Sequence, residues 1–322
     1  MAKLGYYNVT HKGLSYSRQL MLHTCPRKYE ITTKTRADVF EDSITFAYGS
    51  SVGAGIQAIL DGKSLEDCIF ACVVNYDYDI FAECTAKEID SKKSVFWAVD
   101  GVKKLHLLLN SMSSPLKDWE VAYVVNDQGL TVPAIELFFV LDCGGGFTYE
   151  GHIDLVLQHK VNKTLAVCEI KTDGTTTPNP LKYENSNQAL GYSMVLNSIA
   201  SKLETQSAYH VFYFVYETRK QEYQTYTFLK QIKDRARWLL GLQSDIAYIN
   251  LCNDHYCYPK HGQSCYNYNR PCKLAGRCDM SNEVLNLDNS EPLFNSGTKP
   301  DFTFMLDDLL NFDSSLIDIR KV

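Results

Sequence analysis

The chain changes its hydrophobic rhythm near residue 119. Before that point apolar positions recur three and four apart, the spacing that lines one face of a helix. Over residues 47–60 this puts Val52, Ile56 and Ile59 on one stripe, with small residues such as Gly49, Ser51 and Gly55 where another element would approach closely. The pattern predicts a buried helix there, and further helices over 65–78 and 91–110. A shorter helix is predicted within 14–29, capped near Ser15 or Ser17. It ends at Cys25, because a proline disfavours helical backbone at the residue before it, and Cys25 is expected at an exposed corner.

Beyond residue 119 the apolar runs become short, β-branched and aromatic. Four of them, 119–125, 132–143, 147–158 and 164–171, are separated by turn signals such as Asn126-Asp127-Gln128-Gly129 and Gly144-Gly145-Gly146, and predict a meander of strands. After a polar loop at 172–180 the period returns to helical over 183–199. Residues 209–217 and 222–228 read as a hairpin in the same sheet, and a long helix over 229–250 closes the core. This order predicts one α/β domain with a central mixed sheet flanked by helices and no internal repeat. The tail changes character after residue 280: 282–299 is polar, and 302–312 is an acidic, apolar, helix-capable segment.

Length and composition permit a substantial core, since 45% of the 322 residues are hydrophobic. The longest apolar run, 135–141, is far short of the ~20 residues that span a bilayer, and residues 1–10 carry no charged-then-apolar leader. A soluble, cytoplasmic protein without a membrane partner is expected. The net charge of -6 excludes a general attraction to nucleic acid, so any such partner would be held by a local basic groove and by metal ions. Eleven cysteines are an odd number for a disulfide framework, and in a reducing compartment clustered cysteines point to metal.

Candidate chemistry centres on two predicted strands, Gly151-His152-Ile153-Asp154 and Cys168-Glu169-Ile170-Lys171. Residues two apart on a strand share a face, so Glu169 and Lys171 project together and Asp154 meets them across the turn at 158–163. Such oxygen ligands suit Mg2+ or Mn2+, and a lysine beside the ion can orient water for attack on a phosphodiester. On the next predicted helix Gln188 and Tyr192 are four apart, on one face, where an amide and a phenol can contact phosphate. Glu136, among apolar neighbours, is a further candidate ligand, and Lys182 and Arg219 are candidate phosphate contacts. Cys25, Cys265, Cys272 and Cys278 make a complete thiolate set for an iron-sulfur cluster or structural zinc, which spacing does not separate. Cys252, Cys257, His255 and His261 allow a zinc site of different membership. Cys68, Cys72, Cys84, Cys143 and Cys168 read as small core residues.

Together these motifs, from Ser15 to Cys278, resemble the PD-(D/E)XK nucleases, specifically the iron-sulfur branch related to the RecB and AddB nuclease domains and to CRISPR adaptation nucleases. The resemblance implies a restriction-endonuclease-like core at about 119–250 within a single nuclease domain of residues 1–280. A cysteine-rich closing segment, 251–280, would staple the ends, and 281–322 would be a tail able to dock a helicase or single-strand annealing protein. It further implies that Asp154, Glu169 and the Ile170 carbonyl bind Mg2+ or Mn2+, that Lys171 activates water, and that Gln188 and Tyr192 contact DNA near the scissile phosphate. Cys25, Cys265, Cys272 and Cys278 would hold a [4Fe-4S] cluster. Relatives carry a histidine where this chain has Gly53, which removes one possible ligand. The implied activity is an exonuclease on single-stranded DNA or duplex ends in DNA processing or recombination, of a phage-encoded type, acting in the host cytoplasm if viral. Alternatives are a nuclease-fold DNA-binding subunit and a zinc-stapled endonuclease.

Overall fold

A computed structural model describes residues 12–35, 44–83, 93–174, 179–202, 207–255, 257–267, 270–280 and 300–306. In chain order its first elements are β1 (Lys12–Leu14), α1 (Tyr16–Thr24), α2 (Pro26–Thr35), α3 (Ile44–Leu60), α4 (Leu65–Val74), α5 (Tyr78–Glu83) and α6 (Val95–Leu109). Then come β2 (Trp119–Val121), β3 (Tyr123–Val125), β4 (Thr131–Pro133), β5 (Ile135–Gly144), β6 (Phe147–His159) and β7 (Leu165–Asp173). The remainder are α7 (Pro180–Glu184), α8 (Asn187–Lys202), β8 (Ser207–Glu217), β9 (Glu222–Leu229), α9 (Ile232–Asp254), β10 (Tyr266–Asn267), β11 (Arg270–Pro271) and β12 (Phe302–Met305). This is an α/β fold with a mixed sheet and flanking helices.

The chain divides into two compact units, one of residues 41–137 and 152–235, the other of 1–40, 138–151 and 236–322. In the first unit β6 pairs antiparallel with β2 and with β7, β7 pairs parallel with β8, and β8 pairs antiparallel with β9. The parallel step follows from the crossover through α7 and α8, because a parallel neighbour requires the chain to return to the same sheet end. Tyr48, Val52, Ile56 and Ile59 of α3 pack with Cys68 and Cys72 of α4 and Val102 and Leu105 of α6 against Cys168, Ile170, Phe214 and Tyr216 of the sheet. The buried stripe predicted on α3 is therefore the contact face. The helical reading of 183–199 is corrected to two helices, broken at Asn185, whose amide closes α7 on Leu181.

In the second unit the turn from β5 to β6 is made by Gly144, Gly145 and Gly146, all with positive φ, a backbone that only glycine adopts without strain. Ser15 caps α1 through the Arg18 amide, as predicted, and α1 stops at Cys25. Cys25 is nonetheless buried, correcting its expected exposure. Pro26 breaks α1 but also opens α2 at once, a position where its fixed φ and missing N–H are tolerated, and the Arg27 amide donates to the Pro259 carbonyl at 3.0 Å, so this corner lies against the closing segment. Residues 302–305 form a strand, parallel to β5 with Phe302 opposite Phe139, in place of the expected start of a helix. Phe302 and Phe304 are buried. Residues 307–312 of that segment, and Cys84, lie outside the described residues.

Candidate active site

Alternation along β7 sets the site. Cys168 and Ile170 join the apolar layer of α3, α4 and α6, so Glu169 and Lys171 emerge on the other face of the strand. The ladder between β6 and β7 runs from Gln158 opposite Leu165 to Leu155 opposite Cys168. One step further a side chain takes over, and Asp154 Oδ2 accepts the Ile170 amide at 2.9 Å. That bond fixes the Asp154 carboxylate beside Glu169.

Lys171 Nζ donates to Glu169 Oε1 at 2.6 Å and to Gln188 Oε1 at 3.0 Å. Gln188 Nε2 in turn donates to Tyr192 Oη at 3.3 Å, one turn along α8. Glu169, Lys171, Gln188 and Tyr192 thus form one connected chain of polar groups, with Asp154 tied to the backbone beside it. Glu136, the second residue of β5, has a φ of 50°, a left-handed conformation costly for a residue with a side chain. Its Oε1 accepts from Gln57 Nε2 of α3 at 2.6 Å, and it lies near enough to Asp154 and Lys171 to feel both charges. Gln57 is the participant that the sequence reading left without a role. The available signal was the spacing of four that sets Gly49, Gly53 and Gln57 on one stripe of α3.

The electrostatics are those of a crowded acidic site in need of a cation. Burial pushes the Glu169 carboxyl up to about 8, with the neighbouring Asp154 charge adding to the shift and Lys171 opposing it. Burial also raises Asp154, against Lys171 and the Ile170 amide. Glu136 is raised too, mainly by burial of its carboxyl although the residue is solvent-exposed, while the Gln57 hydrogen bond holds it down. Glu169 is fully buried and its Oε2 has no hydrogen-bond partner. A buried carboxylate oxygen without a donor costs free energy, and a hard divalent cation satisfies it. The Asp154 and Glu169 carboxylates therefore suit Mg2+ or Mn2+.

Lys182 Nζ lies 3.5 Å from Asp173 Oδ2, and Arg219 is exposed in the turn between β8 and β9.

The four predicted cysteines all belong to the other unit. Cys25 caps α1, the Cys272 amide donates to the Cys265 carbonyl at 2.8 Å, and Cys272 and Cys278 pack against Ile31 and Leu274. Burial raises the Cys278 thiol, and Cys272, Cys25 and Cys265 each raise it further. Arg27 supports the arrangement, donating to the carbonyls of Cys278 at 3.3 Å and Met280 at 2.9 Å. Among the described residues no group of three or more His, Cys, Asp or Glu is already assembled as a metal-holding set. Cys68, Cys72 and Cys168 are core residues as expected, whereas Cys143 is only partly buried.

A mixed sheet that presents two carboxylates and a lysine side by side on adjacent strands is the layout of a metal-dependent nuclease. A family model described as the PD-(D/E)XK nuclease superfamily matches residues 13–279, and the chain belongs to that superfamily. Its members are mostly metal-dependent nucleases, typically using Mg2+ or Mn2+. Among solved structures, one titled "Crystal structure of SSO0001" is similar over 71% of this chain and 86% of that chain, at 12% identity and a TM-score of 0.29. No curated protein matches. No described helix is long and apolar enough to cross a membrane.

Proposed function

We propose that this chain is a Mg2+- or Mn2+-dependent deoxyribonuclease of the iron-sulfur RecB/AddB-like branch, acting as an exonuclease on single-stranded DNA or duplex ends. The observation that carries the catalytic reading is the buried, unpartnered Oε2 of Glu169 beside Asp154 and Lys171. Asp154 and Glu169, with the Ile170 carbonyl, would hold the ion, which supplies Lewis-acid activation of water and neutralises charge on the phosphate. Lys171 orients the attacking water and stabilises its deprotonated form, held in place by Glu169 and by the Gln188 amide oxygen. Gln188 and Tyr192 offer an amide and a phenol on the α8 side to the phosphate next to the scissile bond. Lys182 and Arg219 contribute to binding along the strand.

The family resemblance assigns a structural [4Fe-4S] cluster to Cys25, Cys265, Cys272 and Cys278, and the effect of the other three on the Cys278 thiol is in keeping with that assignment. Iron and sulfide analysis tests it, and zinc in their place selects the alternative staple. The activity is tested by digesting end-labelled single-stranded, duplex and closed circular DNA with Mg2+ or Mn2+, using wild type, Glu169→Ala and Lys171→Ala. Loss of cleavage in both variants is expected, with circles spared. Equal activity in all three proteins removes the site, and cleavage of circles replaces the exonuclease with an endonuclease.

A further inference from the structure

We propose that the β3–β4 hairpin is a substrate contact, with Tyr123 stacking on an unpaired base of the DNA strand that enters the site of Asp154 and Glu169. The inference rests on the nuclease reading above and narrows its substrate to single-stranded DNA.

The hairpin is built to hold its shape. β3 and β4 pair through Tyr123 opposite Pro133, Val124 opposite Val132 and Val125 opposite Thr131. At the tip the buried Asn126 accepts the Gln128 and Leu130 amides on its side-chain oxygen, each at 3.0 Å, and its own amide donates to the Leu130 carbonyl at 2.9 Å. At the root three backbone bonds close a ring. The Ala122 amide donates to the Val156 carbonyl at 3.0 Å, the Val156 amide to Ala134 at 2.8 Å, and the Ala134 amide to Ala122 at 2.8 Å.

This ordered hairpin buries Val124 but leaves Tyr123, Val125 and Leu130 at 61%, 50% and 57% exposure. Strand alternation puts Tyr123 and Val125 together on the side away from Val124. A grouped set of apolar side chains left in water marks an interaction site. Its place ties that site to the catalytic one. Val156 is two residues from Asp154 on β6, so the backbone path from Asp154 to Tyr123 is two strand residues, one rung and one residue more, roughly 15 Å at most. On the other arm β4 leads through Ala134 and Ile135 to Glu136, which is exposed and bonded to Gln57.

The composition selects the occupant. From Tyr123 to Pro133 the only charged residue is Asp127, so the hairpin has no cation to offer a phosphate. It offers a phenol ring flanked by aliphatic side chains. Stacking on an aromatic side chain needs an open π-face on the base, and an unpaired strand presents one at each nucleotide.

Fluorescence anisotropy without added divalent ion gives the affinities of wild type, Tyr123→Ala and Tyr123→Phe for a labelled single-stranded oligonucleotide and its blunt duplex. A second set of single strands carries one abasic site, moved along the sequence. Tyr123→Ala should lose about tenfold on the single strand, the size of one stacked base, and less than threefold on the duplex, while Tyr123→Phe binds as wild type does. At one abasic position wild type should lose a similar factor and Tyr123→Ala nothing more. Unchanged affinity in Tyr123→Ala, or equal abasic losses in the two proteins at every position, overturns the proposal. So does a wild-type dimer in sedimentation that Tyr123→Ala dissolves, which assigns the face to a second copy. Cleavage of the strand in Mn2+ separates the two readings. Cleavage that survives Glu169→Ala and Lys171→Ala removes the active site on which the proposal rests. Cleavage lost in those variants, with affinity unmoved by Tyr123→Ala, removes only the role of the hairpin.

Discussion

Glu169 makes the metal-free protein pay for its own active site, and replacing it with glutamine should show this directly. Its carboxyl is fully buried and raised from the ordinary 4.5 to about 8. At about 1.4 kcal/mol per pH unit, ionising it in the folded, metal-free protein costs up to about 5 kcal/mol relative to the unfolded chain. The sign follows from proton counting. Between about pH 4.5 and about pH 8 the unfolded chain has released this proton while the folded protein still holds it. The unfolded state then binds fewer protons, so stability falls as pH rises through that window and levels off above it. Asp154, raised for the same reason, acts in the same direction. Urea unfolding followed by circular dichroism at pH 5, 6.5 and 8, in protein freed of divalent ions, measures the effect. Wild type should lose several kcal/mol across the series, Glu169→Gln should lose much less and be the more stable protein at pH 8, and Mn2+ should restore wild type but not the variant. Parallel pH curves for the two proteins would refute the argument.

Other perturbations probe separate parts of the structure. In Gln188→Ala, Lys171 loses its 3.0 Å acceptor, and kcat should fall about tenfold, the loss expected when a catalytic group is mispositioned, with thermal stability nearly unchanged. Tyr192→Phe removes only the hydroxyl that accepts from Gln188 and should cost less, a few-fold in kcat on a labelled oligonucleotide. Gly101→Ala places a methyl group on the ring of Tyr216, 2.9 Å from Cζ and overlapping the hydroxyl. It should destabilise the protein by about 1–3 kcal/mol, read by denaturant unfolding, despite the gain in helix propensity. Cys272→Ser should lower the bound iron or zinc measured by elemental analysis, and weaken the packing against Ile31 and Leu274.

Much of the layout was legible because it is written in local periods. The 3.6-residue period of Val52, Ile56 and Ile59 and the glycine run at 144–146 each specify an element through its own backbone preferences. The frame of Glu169 and Lys171 was legible for the same reason, since a two-residue period decides which side chains share a strand face. What lies between elements was not. That Cys25 is buried depends on a corner after α1 that meets the distant segment at Pro259, and that residues 302–305 form a strand depends on a parallel partner at Phe139, far away in the chain. The contact of Gln57 with Glu136 needs a helix stripe and a strand start brought together by the core. The sequence by itself determined the elements and the chemical identity of the site. Tertiary structure decided the burial of Glu169, the orphaned oxygen and the raised carboxyls, because desolvation and long-range pairing depend on which surfaces meet, and no local period encodes that.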